Sequence, residues 1–214
     1  MLQDIIIVGF GGHGKSVADT IERTGKYNII GYTDFKPALN SKYYYLGTDD
    51  VLLDDRERFM DTKIVIGLGY MGHGQIRERL FQQLAEAGYE FPVIIDPSAV
   101  VSKSVSIGLG SFVGKGSIVN ADTKIGDICI INSGSIVEHE CTVGKGTHIA
   151  VGATVCGQAT IGDMCMIGAN SIVNQCVSIG NYSIIGSGSV VVNNIEDKVT
   201  AVGVPAKVIK INEG

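Results

Sequence analysis

The chain is short of charge, of basic clusters and of long apolar runs. Charged residues make up 18% of its 214 positions, and the formal net charge is −5. No run of Lys and Arg occurs, which argues against a nucleic-acid partner, because phosphate backbones are held by clustered basic side chains. No stretch approaches the ~20 consecutive apolar residues of a membrane-spanning helix. The first residues open into an apolar strand without a basic leader, so a cytoplasmic location is expected. Paired CxxC motifs are missing as well. The five cysteines (Cys129, Cys141, Cys156, Cys165, Cys176) have spacings that fit no zinc site, so no metal is expected. They read as reduced thiols used as small apolar fillers, with Cys141 and Cys156, close in sequence to two histidines, as the alternative catalytic thiols. With 45% hydrophobic residues, the chain has material for a proper core in one or two domains.

What is present is a six-residue period. From Ile95 to Val191 every sixth residue is Ile or Val, with no insertion breaking the phase. Two residues before each aliphatic stands a small or β-branched residue, such as Ser111, Thr123, Cys129 or Thr147. Directly after it, eleven of sixteen residues are Gly or Asn. Each hexad reads as a short strand plus a corner, with the aliphatic and the small residue facing inward. Gly and Asn are expected at the corner because they tolerate positive φ. Three sides close a triangular coil of eighteen residues, and stacked coils make a parallel β-helix. The 97 residues from Ile95 to Val191 supply five to six coils. At one corner the pattern departs from Gly and reads Glu138-His139-Glu140.

The first ninety residues have another style. Strands are expected at Asp4–Val8, Asn28–Thr33, Lys63–Ile66 and Phe91–Ile95, with helices at Lys15–Thr24 and from Gln75 to about Ala87. The alternation predicts a small parallel sheet covered by helices on both faces, half of a dinucleotide-binding fold. Residues 1–95 are therefore expected to form one domain and residues 96–214 the coil with a C-terminal tail. The first strand runs into Gly9-Phe10-Gly11-Gly12-His13-Gly14, a G-x-G-x-x-G turn whose backbone N–H groups can approach phosphate at a helix end. Asp34 lies twenty residues beyond Gly14, placed to accept from a ribose or base. Tight packing is the other reading of such a turn. A second turn repeats the spacing at Gly67, Gly69 and Gly72.

The four histidines are His13, His73, His139 and His148. Imidazole suits proton transfer near neutrality, and His139 stands between two carboxylates, one of which can hold a tautomer and stabilise the imidazolium. His139 and His148 are nine residues apart, half a coil, so they fall on different sides of one prism. A threefold assembly would let His139 of one chain share a cleft with His148 of another. His148 as an ordinary outward polar residue and His73 as a solvated loop residue are the alternatives.

These segments together resemble the hexapeptide-repeat sugar O- and N-acetyltransferases: Gly11-Gly12-His13-Gly14, Asp34-Phe35, the run Asn132 to Cys141, Gly146-Thr147-His148, and the ending Val202 to Lys207. The chain is most similar to bacterial nucleotide-4-amino-sugar N-acetyltransferases of the bacillosamine and perosamine type and to sialic acid O-acetyltransferases. The resemblance implies a left-handed coil, a homotrimer with active sites between subunits, and acetyl-CoA as co-substrate. It implies His139 as general base with Glu140 orienting it, and Asn132 beside the acceptor amine. His148, Gly157, Gly203, Pro205 and Lys207 would line the acetyl-CoA groove. Gly12, His13, Gly14, Asp34 and Phe35 would form the nucleotide-sugar pocket. The expected reaction is direct acetyl transfer, in a ternary complex, to the 4-amino group of a UDP-linked 4-amino-4,6-dideoxy sugar. O-acetylation of a sialic acid or related sugar is the alternative within the class. A nicotinamide-binding front domain on a trimerisation scaffold, or a non-catalytic binding protein, are alternatives outside it.

Overall fold

A computed structural model describes residues 2–70 and 75–212. Gly72 and His73 of the second glycine-rich turn lie outside the described residues. The front of the chain runs β1 (Gln3–Val8), α1 (Gly12–Thr24), β2 (Tyr27–Thr33), β3 (Tyr45–Gly47), α2 (Val51–Asp54), α3 (Arg56–Phe59), β4 (Lys63–Ile66) and α4 (Gln75–Glu86). The sheet order is β3-β2-β1-β4, and every pairing is parallel. β1 is central, so its Ile5, Ile6, Ile7 and Val8 are all fully buried. Ile5 and Ile7 pack with Val17, Ala18 and Ile21 of α1, whereas Ile6 and Val8 pack with Leu80, Phe81 and Leu84 of α4. Among the described residues, no helix is long and apolar enough to cross a membrane.

The fourth strand of this sheet is Tyr45–Gly47 and not, as the sequence suggests, Phe91–Ile95. Ile94–Ile95 instead pairs with Phe112–Val113 and is the first strand of the coil. From β5 (Ile94–Ile95) to β21 (Val190–Val191) the chain makes two-residue strands at every hexad. Partners differ by eighteen residues throughout, as in Ile125 with Val143 and Ile131 with Ile149. The coil is the expected left-handed parallel β-helix, with three sheets of five, six and eight strands. Its aliphatic column fills the centre, with Val113, Val119, Ile131, Val137, Ile149 and Val155 fully buried. β22 (Val199–Gly203) adds to the eight-stranded sheet in parallel and turns back as the antiparallel β23 (Ala206–Ile211).

The corners work differently from the expectation. Positive φ falls two residues later than the Gly/Asn column, at Gly110, Gly116, Asp122, Ile128, Gly134, Glu140 and onward every sixth residue to Gly188. The Gly column has another cause. A Cβ on Gly126 would lie 2.7 Å from the Lys145 backbone nitrogen, and one on Gly144 2.5 Å from the Gly162 carbonyl carbon. Those glycines are there because the next coil passes too close for a side chain. The small column also does more than save space. Ser111, Thr123, Cys129, Thr147 and Cys165 donate to the corner carbonyls of Gly126, Glu138, Gly144, Gly162 and Gly180. Buried corner carbonyls thereby find partners.

The three coil faces have different chemistry. The five-stranded face presents Ser106, Lys124, Thr142, Thr160 and Ser178 outward. The eight-stranded face presents Ile94, Phe112 and Ile130, which join the α1 side of the front domain's core. Asp96, fully buried, pins α1 to the first coil by accepting from Thr20 at 3.0 Å and pairing with Arg23 at 3.2 Å. The six-stranded face presents Val100, Ile118, Ile136, Thr154, Ile172 and Val190, none of them covered by the chain's own front domain and none of them charged.

Candidate active site

His139 and Glu140 occupy the corner between the six-stranded and five-stranded faces. Glu140 has φ 56°, and this left-handed backbone turns its carboxylate back toward the preceding side chain. Its Oε2 lies 3.0 Å from His139 Nδ1. An ionised carboxylate only accepts, so Nδ1 carries the proton and Nε2 keeps its lone pair. The carboxyl of Glu140 is held below its ordinary range, first by the hydrogen bond from His139 and then by one from Gln158. Gly157, one coil on, lies directly under the ring. A Cβ there would lie 2.7 Å from His139 Nε2 and 2.8 Å from Cε1. The free nitrogen of the imidazole thus looks onto bare backbone at the one residue where no side chain intervenes.

Asn132 sits at the other edge of the six-stranded face, and His148 lies beside it as the outward residue of the His148–Ile149 strand of the eight-stranded face. Asn132 Oδ1 accepts from the Ser133 N–H at 2.8 Å, which fixes the amide and leaves Nδ2 to donate to His148 Nε2 at 3.0 Å. His148 is then protonated on Nδ1. Burial, together with the nearby His13 and Arg77, lowers its pKa to about 3. His13 is lowered to about 4, by burial and then by Arg77. Its ring stands edge-on to Phe112, centroids 5.2 Å apart. The structure therefore brings His13 and His148 together and keeps His139 apart from both within one chain. Arg77 of α4, which sequence reasoning passed over, is the third member. It is 2% exposed and donates to the carbonyls of Ile128 and Gly146. Burial pushes it down to about 10, so it stays charged at neutral pH.

The glycines of the first turn divide into two kinds. Gly14 and Gly67 are packing residues, since a Cβ on either would sit 2.3 Å from the Gly9 carbonyl oxygen. Gly11 and Gly12 face open space at the start of α1. Asp34 is engaged with the turn itself, accepting from the Phe10 N–H at 2.8 Å and the Phe35 N–H at 2.7 Å. Each oxygen retains acceptor capacity for a ligand. The Phe35 ring is 93% exposed beside it. A cleft of about 420 Å³ adjoins the turn, bounded by Phe10, Lys15, Lys42 and Tyr43. Gly203, Pro205 and Lys207 lie exposed at and beside the tip of the β22–β23 hairpin, remote in sequence from His139, and the Gly203 N–H donates to Ser189 Oγ at 3.0 Å.

Comparison with known proteins follows the same division of the chain. A family described as PglD N-terminal domain matches residues 4–84, and bacterial transferase hexapeptide (six repeats) matches residues 158–193. UDP-N-acetylbacillosamine N-acetyltransferase of Bacillus subtilis (strain 168) is 33% identical over 114 residues, 52% of this chain. The chain spans about half of that protein's length, 51%. The acetyltransferase domain of PglB from Neisseria gonorrhoeae, solved with acetyl coenzyme A, superposes with a TM-score of 0.90 at 31% identity, covering 98% of this chain and 100% of that one. PerB from Caulobacter crescentus, solved with CoA and GDP-perosamine, does so with a TM-score of 0.90 at 33% identity, covering 98% and 99%. The chain belongs to the PglD-type hexapeptide N-acetyltransferases.

In this member of the PglD-type family the cysteines are free. Cys129 and Cys165 are pushed up to about 12 and about 11 by burial, and Cys141 and Cys156 are also raised, again chiefly by burial. Thiols held protonated in this way are poor nucleophiles. Gln158, also passed over by sequence reasoning, completes the His139 corner. Its N–H donates to the His139 carbonyl at 2.9 Å and its Nε2 to Glu140 Oε2 at 3.2 Å. The eighteen-residue register, which stacks residue 158 against residue 140, was the signal that could have found it.

Proposed function

We propose that the chain transfers the acetyl group of acetyl-CoA to the 4-amino group of a UDP-linked 4-amino-4,6-dideoxy sugar. The observation that carries this reading is the His139–Glu140 pair with Nε2 open over Gly157. A sugar amine must be neutral to attack a thioester. As its C–N bond to the acetyl carbon forms, Nε2 takes the amine proton, and Glu140 stabilises the imidazolium. The C–S bond then breaks, and the proton passes to the departing thiolate, giving an amide and free CoA thiol. The Gly157 N–H is the proposed donor to the developing oxyanion. His148 is neutral at working pH and acts as a fixed polar group beside Asn132, not as a second base.

The nucleotide is assigned to the first turn, with Gly12, His13 and Gly14 along the phosphates and Asp34 and Phe35 at the nucleoside. Gly203, Pro205 and Lys207 are assigned to the CoA end of the groove. The working assembly is a homotrimer packed through the six-stranded face. That face is apolar; one edge carries His139, and the other carries Asn132 with His148 bonded to it from the adjoining eight-stranded face. A threefold rotation about an axis facing it brings opposite edges of neighbouring chains together, so each site takes His139 from one chain and His148 from the next. PglB was solved with acetyl coenzyme A and PerB with a nucleotide-linked amino sugar, which supports the substrate classes.

The test is release of CoA thiol from acetyl-CoA across UDP- and GDP-linked amino sugars and sialic acid. We expect turnover with UDP-linked 4-amino sugars and a fall of roughly 10²- to 10⁴-fold in kcat for His139→Ala, the range for loss of a general base. Near-normal turnover in that variant would remove His139 from the mechanism. Turnover confined to sialic acid would replace the acceptor.

A further inference from the structure

The corner that holds Glu140 carries left-handed residues in successive coils: Asp122 (φ 60°), Glu140 (φ 56°), Gln158 (φ 60°) and Cys176 (φ 60°). The corner across the apolar face meets the same backbone demand with Gly116, Gly134, Gly152 and Gly188, and with Asn170 (φ 54°), a residue type that tolerates this conformation better than most. Glycine adopts that conformation without strain, while an L side chain pays roughly 1 kcal/mol or more for it, converted to about a fivefold bias against each such residue. At the third corner Ile128 and Met164 carry this cost buried against the front domain, whereas Asp122, Glu140, Gln158 and Cys176 carry it on the exposed surface. Three of them are joined. Cys176 Sγ donates to Gln158 Oε1 at 3.4 Å, Gln158 Nε2 donates to Glu140 Oε2 at 3.2 Å, and that same oxygen accepts from His139 Nδ1 at 3.0 Å.

We propose that Gln158 is a positioning residue for the His139–Glu140 pair, with Cys176 setting the direction of its amide. This rests on the reading of His139 as the base. Gln158 grips both partners, His139 through its backbone N–H and Glu140 through its side chain. The thiol hydrogen bond turns the amide oxygen toward Cys176, so the NH₂ end faces the carboxylate. Every hydrogen bond in the ladder then points toward Glu140, which holds the carboxylate in one rotamer, Nδ1–H toward it and Nε2 bare. A neutral amide can do this without competing for the proton. The other titratable groups on this corner are Asp122, Glu138, Cys141 and Cys156, and none of them has a hydrogen bond to the Glu140 carboxylate or the His139 ring.

The experiment compares Gln158→Leu and Gln158→Glu with the native enzyme and with His139→Ala, in full pH–rate profiles with thermal melts. Gln158→Leu is expected to lower kcat about fivefold, the worth of one hydrogen bond, with both KM values and the melting temperature unchanged. Gln158→Glu places a second negative charge beside the pair and is expected to move the acid limb of kcat to higher pH. If leucine disturbs the coil, the melt reports it, and the near-isosteric glutamate decides. Native kcat in Gln158→Leu together with an unmoved limb in Gln158→Glu overturns the proposal. His139→Ala run alongside separates the two failures. If it stays active, the base assignment has failed. If it is dead while the Gln158 variants are native-like, only the positioning role has.

Discussion

Gly157 is bare because the His139 imidazole occupies the space a side chain would take. The atoms nearest an added Cβ all belong to that ring, and residue 157 is not among the positive-φ positions, so alanine is tolerable to the backbone. Gly157→Ala is therefore expected to displace the ring while leaving the fold alone. Its kcat should drop by about tenfold or more, for loss of near-attack geometry, with a melting temperature close to native. A variant that melts early and keeps its per-molecule kcat would contradict this assignment. The histidine and its carboxylate were legible as sequence neighbours that interrupt a Gly corner. Gln158 and Arg77 were not, because nothing local marks them. Gln158 matters through a contact eighteen residues back, and Arg77 looks like any helix arginine until Ile128 and Gly146 are seen to close over it.

At the scale of the element, the coil holds two sets of glycines with opposite reasons for being there, and they respond differently to alanine. Gly126→Ala puts a methyl against the Lys145 backbone, which cannot yield, and should cost about 3 kcal/mol or more. Gly116→Ala meets no atom within 4 Å but must hold φ near 63°, at a cost of about 1 kcal/mol. Urea midpoints of the two variants measure the difference, and equal losses would show that sterics and backbone strain have been wrongly separated. Ile128 shows how a bad conformation is tolerated. It is β-branched at φ 48°, yet fully buried against the front domain, and burial worth roughly 2 kcal/mol offsets strain of similar size. The hexads were readable because a strict period needs no partner to interpret it. Tyr45–Gly47 was not, since three residues carry no period and become a strand only by lying beside Tyr32 and Thr33. The corner phase was misjudged because glycine fills both columns.

For the whole molecule, the front domain and the coil share a buried seam of two neutral imidazoles and a guanidinium. His13 and His148 have folded pKa values of about 4 and about 3, below the ordinary 6.5. Between pH 6.5 and about 4 the unfolded chain therefore binds protons that the folded chain does not, and stability falls as pH falls, by up to roughly 2.7 kcal/mol per unit when both contribute. His148→Gln should roughly halve that slope in denaturant titrations, and an unchanged slope would place the acid sensitivity elsewhere. The assembly has its own test. Ile172→Glu on the apolar face should yield monomers without turnover by sedimentation, whereas Thr160→Glu on the polar face should leave both size and activity intact. Trimers in the first variant would move the interface. The eighteen-residue register has one more consequence. Coil strands bond only to the strands one coil before and one coil after, while the front domain is tied to the earlier coils through Asp96, Ile128 and Gly146, so the helix behaves as a one-dimensional stack that loosens from the end away from that domain. His139 and His148 straddle the midpoint of the strands from Ile94 to Val191. In amide exchange the last coils should open before the segment from Asn132 to Gly157, so the His139 corner sits on backbone that breathes less than the coils beyond it.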